Sequence, residues 1–391
     1  MSRTELRPLS ADRQVDFQRV VDYAFDAAAG PPSYDGPEST PDLLGTQLGL
    51  FADGTLRTVC THYELTVSHR GEWVPMAGLA GLATLPEHRR EGYVRDLLSA
   101  SLERWRNEFA FVALWPFDYG YYEQFGWAMG CTLMEYTCPP ETLAFARDSP
   151  GQLERLTPDD WKRLQHVVET YGMEYDFTVQ RDESWWRRRI FDTGDRYVYG
   201  IERDGQFHGY VGYSIDDESR MKVLYNAFTD HEAFRGLLGL LSNHDSQVET
   251  VTLYRPAESS LLDMVPDPKA VDCEVRPGMM VRVVSVIDAL ETVPYPEEAT
   301  GTLTFAVTDE TAAWNNGTFE LTVSDGTGVC RRVDDATPDL RVDIETLAQL
   351  VVGYHAVPEA RKLAGLETDD ESATRLARWL PPRTVSPIDN F

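Results

Sequence analysis

Lysine is scarce in this chain of 391 residues. Only four of its 36 basic residues are lysines, and 64 acidic residues give a net charge of −28. No extended basic face can form, which argues against nucleic-acid binding because that depends on neutralising phosphates. Disorder is excluded by 42% hydrophobic and 11% aromatic residues. We expect a halophilic protein, as in salt-accumulating archaea, where molar salt shortens the Debye length to about 3 Å.

Long apolar runs and paired cysteines are also missing. No run approaches 18 apolar residues, and no basic segment followed by an apolar one opens the chain, so we expect a soluble cytoplasmic protein without a membrane partner. The five cysteines are scattered and form no Cys-x-x-Cys pair, so neither a zinc ribbon nor a disulfide framework is indicated. The histidines do not cluster, and Gly-x-Ser-x-Gly and His-Glu-x-x-His are absent. We expect no metal.

The length suggests two or three domains, and the first two repeat each other weakly. Each begins with a short strand and a helix, with Ser10 or Thr157 as the helix cap. Each continues with two strands joined by an Asp-Gly turn, Asp53-Gly54 or Asp204-Gly205. The pattern predicts two related α/β units, although caps and turns of this kind also recur by chance.

A third region follows Ile287. Residues 289–300, "ALETVPYPEEAT", are rich in proline and glutamate and are typical of a linker. Residues 345–354, "ETLAQLVVGY", are predicted to be helical. Between them, apolar residues alternate as in half-buried strands: Leu303, Phe305, Val307; Phe319, Leu321, Val323; Leu340, Val342, Ile344.

A strand, a tight turn and a helix follow one another at residues 74–105. The turn contains Arg89, Arg90 and Gly92, and it places the N–H groups of residues 90–95 at a helix N-terminus. Such N–H groups lack intrahelical partners and attract anions, and glycine lets the backbone approach one closely. The spacing favours a pyrophosphate, and the alternative is an ordinary turn with solvated arginines. The apolar face of the helix comprises Val94, Leu97, Leu98, Leu102 and Trp105.

The second unit has the helix without the arginines. When Gly236 is aligned with Gly92, Ala233 and Phe234 replace the two arginines. The second unit is therefore predicted to bind no comparable anion.

These residues resemble the GNAT acetyltransferase superfamily, whose motif Arg/Gln-x-x-Gly-x-Gly/Ala binds the pyrophosphate of CoA. Here Val94 stands where glycine or alanine is usual. More narrowly, Pro86, His88 and the segment from Tyr122 to Gly126 are similar to motifs of Eis-type N-acetyltransferases, which also end on phenylalanine, as this sequence does at Phe391. Glu91 departs from this pattern, because a third arginine often stands there.

The resemblance implies an α/β (α+β) fold with two tandem GNAT domains and a sterol-carrier-protein-like α+β domain. Their expected bounds are 1–145, 146–287 and 288–391, with the second GNAT domain degenerate. It also implies an acetyl-CoA-dependent N-acetyltransferase that forms a closed homo-oligomer, a hexamer. The acceptor would be a primary amine of the aminoglycoside, polyamine or lysine type, attacking directly in a ternary complex. The alternative is a non-enzymatic protein whose third domain binds an apolar ligand and whose GNAT domains are relics.

Residue roles follow from the same resemblance. Tyr122 would give a proton to the leaving thiolate; Tyr121 competes for this role, and simple packing is the alternative. The terminal carboxylate of Phe391 would accept the amine proton, with Asp389 raising its pKa by repulsion; the alternative is a tail that only seals the domain. The expected acetyl-CoA contacts are Leu82, Ala83, Thr84, Arg89, Arg90, Glu91, Gly92, Tyr93, Val94, Arg95, Phe117 and Asp118.

Two further segments are candidates for contacts with the acceptor. Phe25 and Asp26 resemble pocket residues of the family, although the end of a helix explains them as well. "SWWRRR", residues 184–189, could stack a ligand, but a helix that covers a domain interface is the commoner meaning of such a segment.

Overall fold

A computed structural model describes the chain apart from residues 1–3, 31–32, 35, 37–39, 42, 193, 195, 257–258 and 364. The strands are β1 Thr4–Pro8, β2 Thr46–Ala52, β3 Thr55–His69, β4 Glu72–Thr84, β5 Phe111–Leu114, β6 Ala128–Met129, β7 Thr132–Cys138, β8 Gln152–Arg155, β9 Arg196–Arg203, β10 Gln206–Ile215, β11 Arg220–Phe228, β12 Thr250–Pro256, β13 Asp272–Pro277, β14 Met280–Val283, β15 Gly301–Thr308, β16 Gly317–Ser324, β17 Thr327–Val333, β18 Leu340–Asp343 and β19 Glu367–Thr368.

Eleven α-helices accompany these strands in the described residues. The short helix α5 continues into a π-helix, Trp186–Phe191. The α-helices are α1 Gln14–Phe25, α2 Tyr93–Trp105, α3 Tyr119–Glu123, α4 Trp161–Glu174, α5 Glu183–Trp185, α6 His231–Ser242, α7 Leu261–Met264, α8 Val286–Thr292, α9 Ile344–Val352, α10 Val357–Leu363 and α11 Asp370–Trp379.

Three sheets organise the described residues. Their strand orders are β1-β2-β3-β4-β5-β14-β6, β13-β7-β12-β11-β10-β9-β8 and β17-β16-β15-β18-β19. In the first two, hairpins precede a strand–helix–parallel-strand unit, β4–α2–β5 or β11–α6–β12. The predicted hairpin turns are confirmed, because Asp53 and Asp204 have φ of 51° and 52° and are each followed by a glycine with positive φ. The repeat of α/β units is therefore visible in the topology.

The first two sheets exchange strands. Strand β7, which precedes residue 145, pairs with β12 and β13 in the second sheet. Strand β14, which precedes residue 287, lies between β5 and β6 in the first. Sheet membership thus crosses both of the expected boundaries, and each α/β unit is completed by a segment of the other.

Two details of the sequence prediction are wrong. Residues 289–292 are not linker but part of α8, because Val286, Ala289 and Leu290 recur at helical spacing and are buried. Ser10 precedes the first helical turn but its side chain makes no capping hydrogen bond. Thr157, by contrast, forms a capping box with Asp160.

No helix in the described part of the chain is long and apolar enough to cross a bilayer. The same residues contain no group of three or more His, Cys, Asp or Glu side chains arranged to hold a metal ion.

Candidate active site

Strands β4 and β5 separate after a short parallel ladder. Only Ala77–Leu79 pair with Val112–Leu114, while β4 continues for five residues to Thr84. Within the described residues, this last part of β4 has no strand on its β5 side. A bulge opposite β3 marks the same stretch, and Gly81 occupies it with a φ of 57°. The expected acetyl-CoA contacts at residues 82–84 therefore border an open cleft.

The turn after β4 presents a row of backbone donors. Arg89 N–H donates to Pro86 O and Asp96 N–H donates to Gly92 O. Between these bonds, the N–H groups of residues 90–95 have no acceptor among the described residues. Gly92, the N-cap of α2, has a φ of 87°, and a Cβ there would meet nothing within 4 Å. The predicted anion loop thus has unpaired donors and room for a ligand beside Gly92.

Two arginines of this loop have different surroundings. Arg89 Nε donates to Thr84 O at 2.9 Å, and its guanidinium lies 6.0 Å from the Tyr23 ring of α1. Arg90 is exposed and has a φ of 63°, a conformation that non-glycine residues rarely adopt. Arg89 therefore ties the loop to the end of β4, whereas Arg90 leaves its charge in solvent.

The rest of the loop places the remaining predicted contacts at the start of α2. Tyr93 and Val94 are half-buried, and Arg95 is exposed with its guanidinium 5.7 Å from the Phe125 ring. Desolvation and the neighbouring Glu91 carboxylate raise the pKa of Tyr93. Glu91 therefore adds a negative charge at a site that otherwise favours anions.

Tyr122 is buried beneath the cleft. Its ring packs in the core of the first domain and contacts Phe117, Tyr121 and Trp127 edge to face. No described residue forms a hydrogen bond with its hydroxyl, and burial raises its pKa well above the usual value of tyrosine. Tyr122 therefore stays a neutral phenol, able to donate a hydrogen bond, across the physiological pH range.

Phe117 and Asp118 lie in the segment before α3. The Phe117 side chain is 67% exposed, whereas Asp118 caps α3 by accepting a hydrogen bond from Tyr121 N–H at 2.9 Å. Tyr121 is half-buried, and burial raises its pKa as well. Asp118 thus has a structural role in positioning the helix that carries both tyrosines.

A cavity of about 740 Å³ lies between the two α/β units. Its wall on the first unit is β3 and the segment before β2; its wall on the second is the segment around α5 and the start of α4. Burial lowers the pKa of His62, which lines it, to about 3, so this imidazole is a weak base. The other polar and aromatic wall residues include Tyr63, Glu64, Trp161, Gln165, Gln180, Arg181, Asp182, Glu183 and Trp185.

The C-terminal segment passes between the two units. Asp389 forms a fully buried ion pair with Arg181 and accepts a hydrogen bond from Trp185 Nε1 at 3.0 Å. Burial opposes the charge on Arg181, but Asp389 outweighs this and raises the pKa of the guanidinium. The expectation that Asp389 repels the terminal carboxylate is therefore wrong, because Arg181 neutralises it.

Phe391 lies against the first unit. Its ring centroid is 5.7 Å from that of Tyr63, and a Cβ on residue 78 would be 2.8 Å from the ring. Gly78 pairs with Ala113 one residue before β4 and β5 separate. The ring of Phe391 thus packs between a wall residue of the cavity and the strand that borders the cleft.

The residues expected to contact the acceptor do not line this cavity. Phe25 and Asp26 are exposed at the end of α1, and neither lines the cavity. The tryptophan pair was the useful signal: Trp185 lines the cavity, while Trp186 is buried in the core of the second unit. Glu64, Asp182 and Glu183 also line the cavity, and nothing local in the sequence distinguishes these three among 64 acidic residues.

The second unit lacks the anion loop for a physical reason. Asp230 is the N-cap of α6, and its carboxylate accepts a hydrogen bond from Ala233 N–H at 2.9 Å. The same carboxylate pairs with Arg203. The position that an anion would occupy at this helix N-terminus therefore holds a side chain of the protein itself.

Comparisons with known proteins agree with this arrangement. Residues 5–130 and 178–283 each match an acetyltransferase (GNAT) domain, and residues 286–386 match a sterol carrier protein domain. The fold resembles that of a GCN5-related N-acetyltransferase from Anabaena variabilis, with a TM-score of 0.86, 19% identity and coverage of 100% of both chains. It also resembles Eis1 from Mycobacterium abscessus, with a TM-score of 0.77, 22% identity and coverage of 99% and 100%.

Sequence relatives give the activity. The chain is 24% identical to the N-acetyltransferase Eis of Mycobacterium tuberculosis over 379 residues, 89% of this chain and 91% of the relative. It is 27% identical to an uncharacterized N-acetyltransferase of Streptomyces griseus, with 94% of each chain covered. These matches decide against the alternative of a non-enzymatic ligand-binding protein. The chain is therefore an N-acetyltransferase, with two GNAT acetyltransferase domains followed by a sterol-carrier-protein-like domain.

Proposed function

We propose that this enzyme acetylates a primary amine of a cationic acceptor by direct attack in a ternary complex with acetyl-CoA, the acetyl donor of its family. The observation that carries the proposal is the position of β4. Its C-terminal end enters the anion loop, and Gly78 in its middle contacts the Phe391 ring beside Tyr63 of the cavity. In this proposal the donor site lies at the end of β4 and the acceptor site lies beside β3, the neighbouring strand.

The first domain has the groups that acetyl-CoA requires. The free N–H groups of residues 90–95 fit a pyrophosphate, with Arg89 and Arg90 adding positive charge. The free edge of residues 82–84 fits the amide groups of pantetheine. A backbone N–H of β4 directed at the thioester carbonyl would contribute about 3 kcal/mol to the stabilisation of the transition state.

Tyr122 supplies the proton donor in this proposal. A thiol of pKa about 8.5 and a phenol of pKa about 10 differ by roughly 2 kcal/mol, so complete proton transfer to the leaving thiolate is uphill. Burial raises the pKa of Tyr122 further, which favours a hydrogen bond to the sulfur over full transfer. The carboxylate that Phe391 carries in this chain would accept the amine proton.

The acceptor class is inferred from the cavity walls. Glu64, Asp182 and Glu183 provide negative charge, and three aromatic rings can contact ammonium groups. The one arginine in the wall, Arg181, is neutralised by Asp389. Aminoglycosides and polyamines carry several such ammonium groups, and a lysine side chain carries one.

A test should separate charge in the cavity from charge elsewhere. Glu64 is exposed on β3 and lines the cavity, whereas Glu72, at the start of β4, is exposed on the same hairpin and does not. Consumption of acetyl-CoA should be measured with a series of cationic and neutral amines. We expect Glu64→Gln to raise KM for a cationic amine several-fold and to leave the Kd of acetyl-CoA unchanged, and Glu72→Gln to change neither. Equal rates with neutral amines, or identical behaviour of the two variants, would contradict the proposed acceptor class.

We also propose that the enzyme is cytoplasmic and assembles as a closed homohexamer in molar salt. The charge of −28 and the Eis-like domain order support this proposal. Light scattering in molar potassium chloride would test it, and a 44.2 kDa monomer would contradict it.

A further inference from the structure

A second, smaller pocket borders the C-terminal segment. Its volume is about 260 Å³, and it occupies the region where β11 and β12 diverge. The two strands pair in parallel only at residues 220–222 and 250–252, and both continue beyond this ladder. The pocket walls include Trp115, Tyr171, Lys222, Asn226, Tyr254, Arg255, Arg276, Ser386, Pro387, Ile388 and Asn390.

Arg255 is the unusual residue of this pocket. Arg255 is only 3% exposed to solvent. It nevertheless forms no ion pair with a described residue. Nη1 donates to Asn226 Oδ1 at 2.9 Å and to Tyr171 Oη at 3.2 Å. Nε is buried and has no partner within the described residues, and Nη2 makes no hydrogen bond to them either. The Nε–Nη2 edge is the face of a guanidinium that accepts two oxygen atoms of one carboxylate or phosphate.

A second buried donor in the wall also lacks a partner. Trp115 Nε1 makes no hydrogen bond with the described residues. Trp115 directly follows β5, so the first domain contributes this group to the pocket. Unpaired buried N–H groups destabilise a fold unless a ligand or water accepts their hydrogen bonds.

The charge of the wall points in the same direction. None of the lining residues is acidic, although acidic residues outnumber basic ones by 64 to 36 in the chain. Three are basic: Arg255, Lys222 and Arg276. Arg276 is paired with Glu135 and Glu274, but Lys222 forms no ion pair among the described residues. Within the described residues, Arg255 and Lys222 thus form no ion pair, although Glu135, the partner of Arg276, also interacts with the charge of Lys222.

We propose that this pocket binds a small oxyanion, a carboxylate or a phosphate group, through the Nε–Nη2 edge of Arg255. Lys222 at the rim adds charge. The rings of Phe228 and Phe234 also lie close to the Arg255 guanidinium, but they provide no acceptor in its plane for the unpaired N–H groups. The inference does not depend on the proposed acetyl transfer. The pocket is not a second copy of the anion loop of the first domain. The helix N-terminus that corresponds to that loop in the second domain is capped by Asp230 and is not available to an anion.

The full-length protein saturated with CoA provides the test, because the anion loop of the first domain is then filled. Inorganic phosphate and acetate should be titrated separately by calorimetry at constant ionic strength. We expect one of them to bind with one site per chain, and Arg255→Met to weaken that binding at least tenfold. Binding of phosphate alone identifies a phosphate site, and binding of acetate alone identifies a carboxylate site.

If Arg255→Met does not fold, substitutions of two surface lysines still test the proposal. Lys222 and Lys269 are both exposed lysines of the second domain, but only Lys222 lines the pocket. Lys222→Gln should weaken anion binding about threefold or more, while Lys269→Gln, which removes the same charge, should not. The proposal is overturned if neither anion binds, or if affinity is the same in wild type, Lys222→Gln and any folded Arg255→Met. If CoA itself fails to bind, the anion loop cannot be filled, and the titration is repeated with the Arg89→Ala/Arg90→Ala protein, which lacks the charges of that loop. A failure of the proposed acetyl-CoA site can then be told apart from a failure of the proposed pocket.

Discussion

Arg181 and Asp389 lie 208 positions apart in the sequence and form an ion pair in which both side chains are completely buried. Arg181 Nε donates to both carboxylate oxygens at 3.1 Å, and a second donor, Trp185 Nε1, bonds to the same carboxylate. A buried pair of this kind is costly to break, because one partner would remain charged without water or a counter-ion. The pair therefore fixes the end of the chain against the second domain.

Removal of one member of this pair should destabilise the protein more than removal of both. We expect Asp389→Asn to lower the free energy of unfolding by about 3–5 kcal/mol, and Arg181→Met/Asp389→Leu to lower it by less. Urea denaturation at one salt concentration measures both. Similar losses in the single and double variants would show that packing of the tail, and not the charge pair, is the main contribution.

The anion loop can be tested with three substitutions. Arg89→Ala should raise the Kd of acetyl-CoA by about tenfold or more, because charge-assisted hydrogen bonds contribute about 1.5–3 kcal/mol and Arg89 also ties the loop to Thr84. Arg90→Ala should have a smaller effect, since Arg90 makes no comparable hydrogen bond to the described residues. Glu91→Arg should lower the Kd by removing a negative charge. Calorimetry provides the values.

A matched control comes from the second domain. Arg235 aligns with Glu91 when Gly236 is aligned with Gly92, and its guanidinium donates to Phe145 O. Arg235→Ala should leave the Kd of acetyl-CoA unchanged. An equal effect of Arg235→Ala and Arg89→Ala would assign the change to overall charge, and no effect of either would refute the loop as the pyrophosphate site.

A conservative variant can separate the proposed role of the Tyr122 hydroxyl as a proton donor from the packing of the Tyr122 ring. Tyr122→Phe keeps the buried ring and removes only the hydroxyl, for which the described residues provide no partner. We expect kcat to fall about 10²-fold or more, as for loss of a general acid, with stability and acetyl-CoA affinity little changed. Tyr121→Phe is the control, and a larger effect there would transfer the role to Tyr121.

Local sequence patterns could predict the strand–loop–helix unit of residues 74–105 because one stretch of chain contains the apolar strand, the two arginines and the amphipathic helix. The Asp-Gly turns at residues 53–54 and 204–205 were predictable for the same reason, since positive φ at both positions favours these residue types. These features need no information from distant parts of the chain.

Features that join distant segments were not predictable in this way. Periodicity indicates that residues 280–283 form a strand, but not that the strand pairs with residues 111–114 of another unit. The cavity combines residues of two domains, so its three acidic side chains carry no local mark. Arg255 likewise looks like any strand arginine until the structure shows that no described residue forms an ion pair with it.

Glu345 introduces a pH dependence of stability. Burial, reinforced by Asp343 and Asp309, raises its pKa to about 7, while Arg282 opposes the shift. A carboxyl whose pKa is higher in the folded state than in the unfolded state binds an extra proton when folded. It therefore lowers stability as pH rises from about 4.5 to about 7, and the loss is complete above that range.

Glu345→Gln should abolish this dependence. We expect the variant and the wild type to have equal stability near pH 4.5, and the variant to be more stable by about 1 to 2 kcal/mol at pH 8, after allowance for water at the partly exposed carboxylate. Chemical denaturation across this range measures the difference. A constant difference at all pH values would mean that Glu345 does not titrate in this window.

The end of the chain offers the sharpest test of the proposed base. Phe391 is buried, its ring contacts Gly78 and Tyr63, and Asp389 anchors the segment before it. A Gly-Ser extension after Phe391 would move the terminal carboxylate while leaving every side chain of the protein in place. A carboxylate of pKa about 3.5 is a weak base towards an ammonium group near 10, so its environment must assist it.

If this carboxylate accepts the amine proton, the extended protein should turn over at least tenfold more slowly with unchanged acetyl-CoA affinity, because general-base catalysis contributes about 10²–10⁴-fold. The rate should recover partly at higher pH, where the free amine needs no base. The same Gly-Ser extension at the N-terminus is the matched control, and it should leave turnover unchanged. Normal turnover by the C-terminally extended protein would mean that Phe391 only packs against β3 and β4, and that another group in the acidic cavity takes the proton.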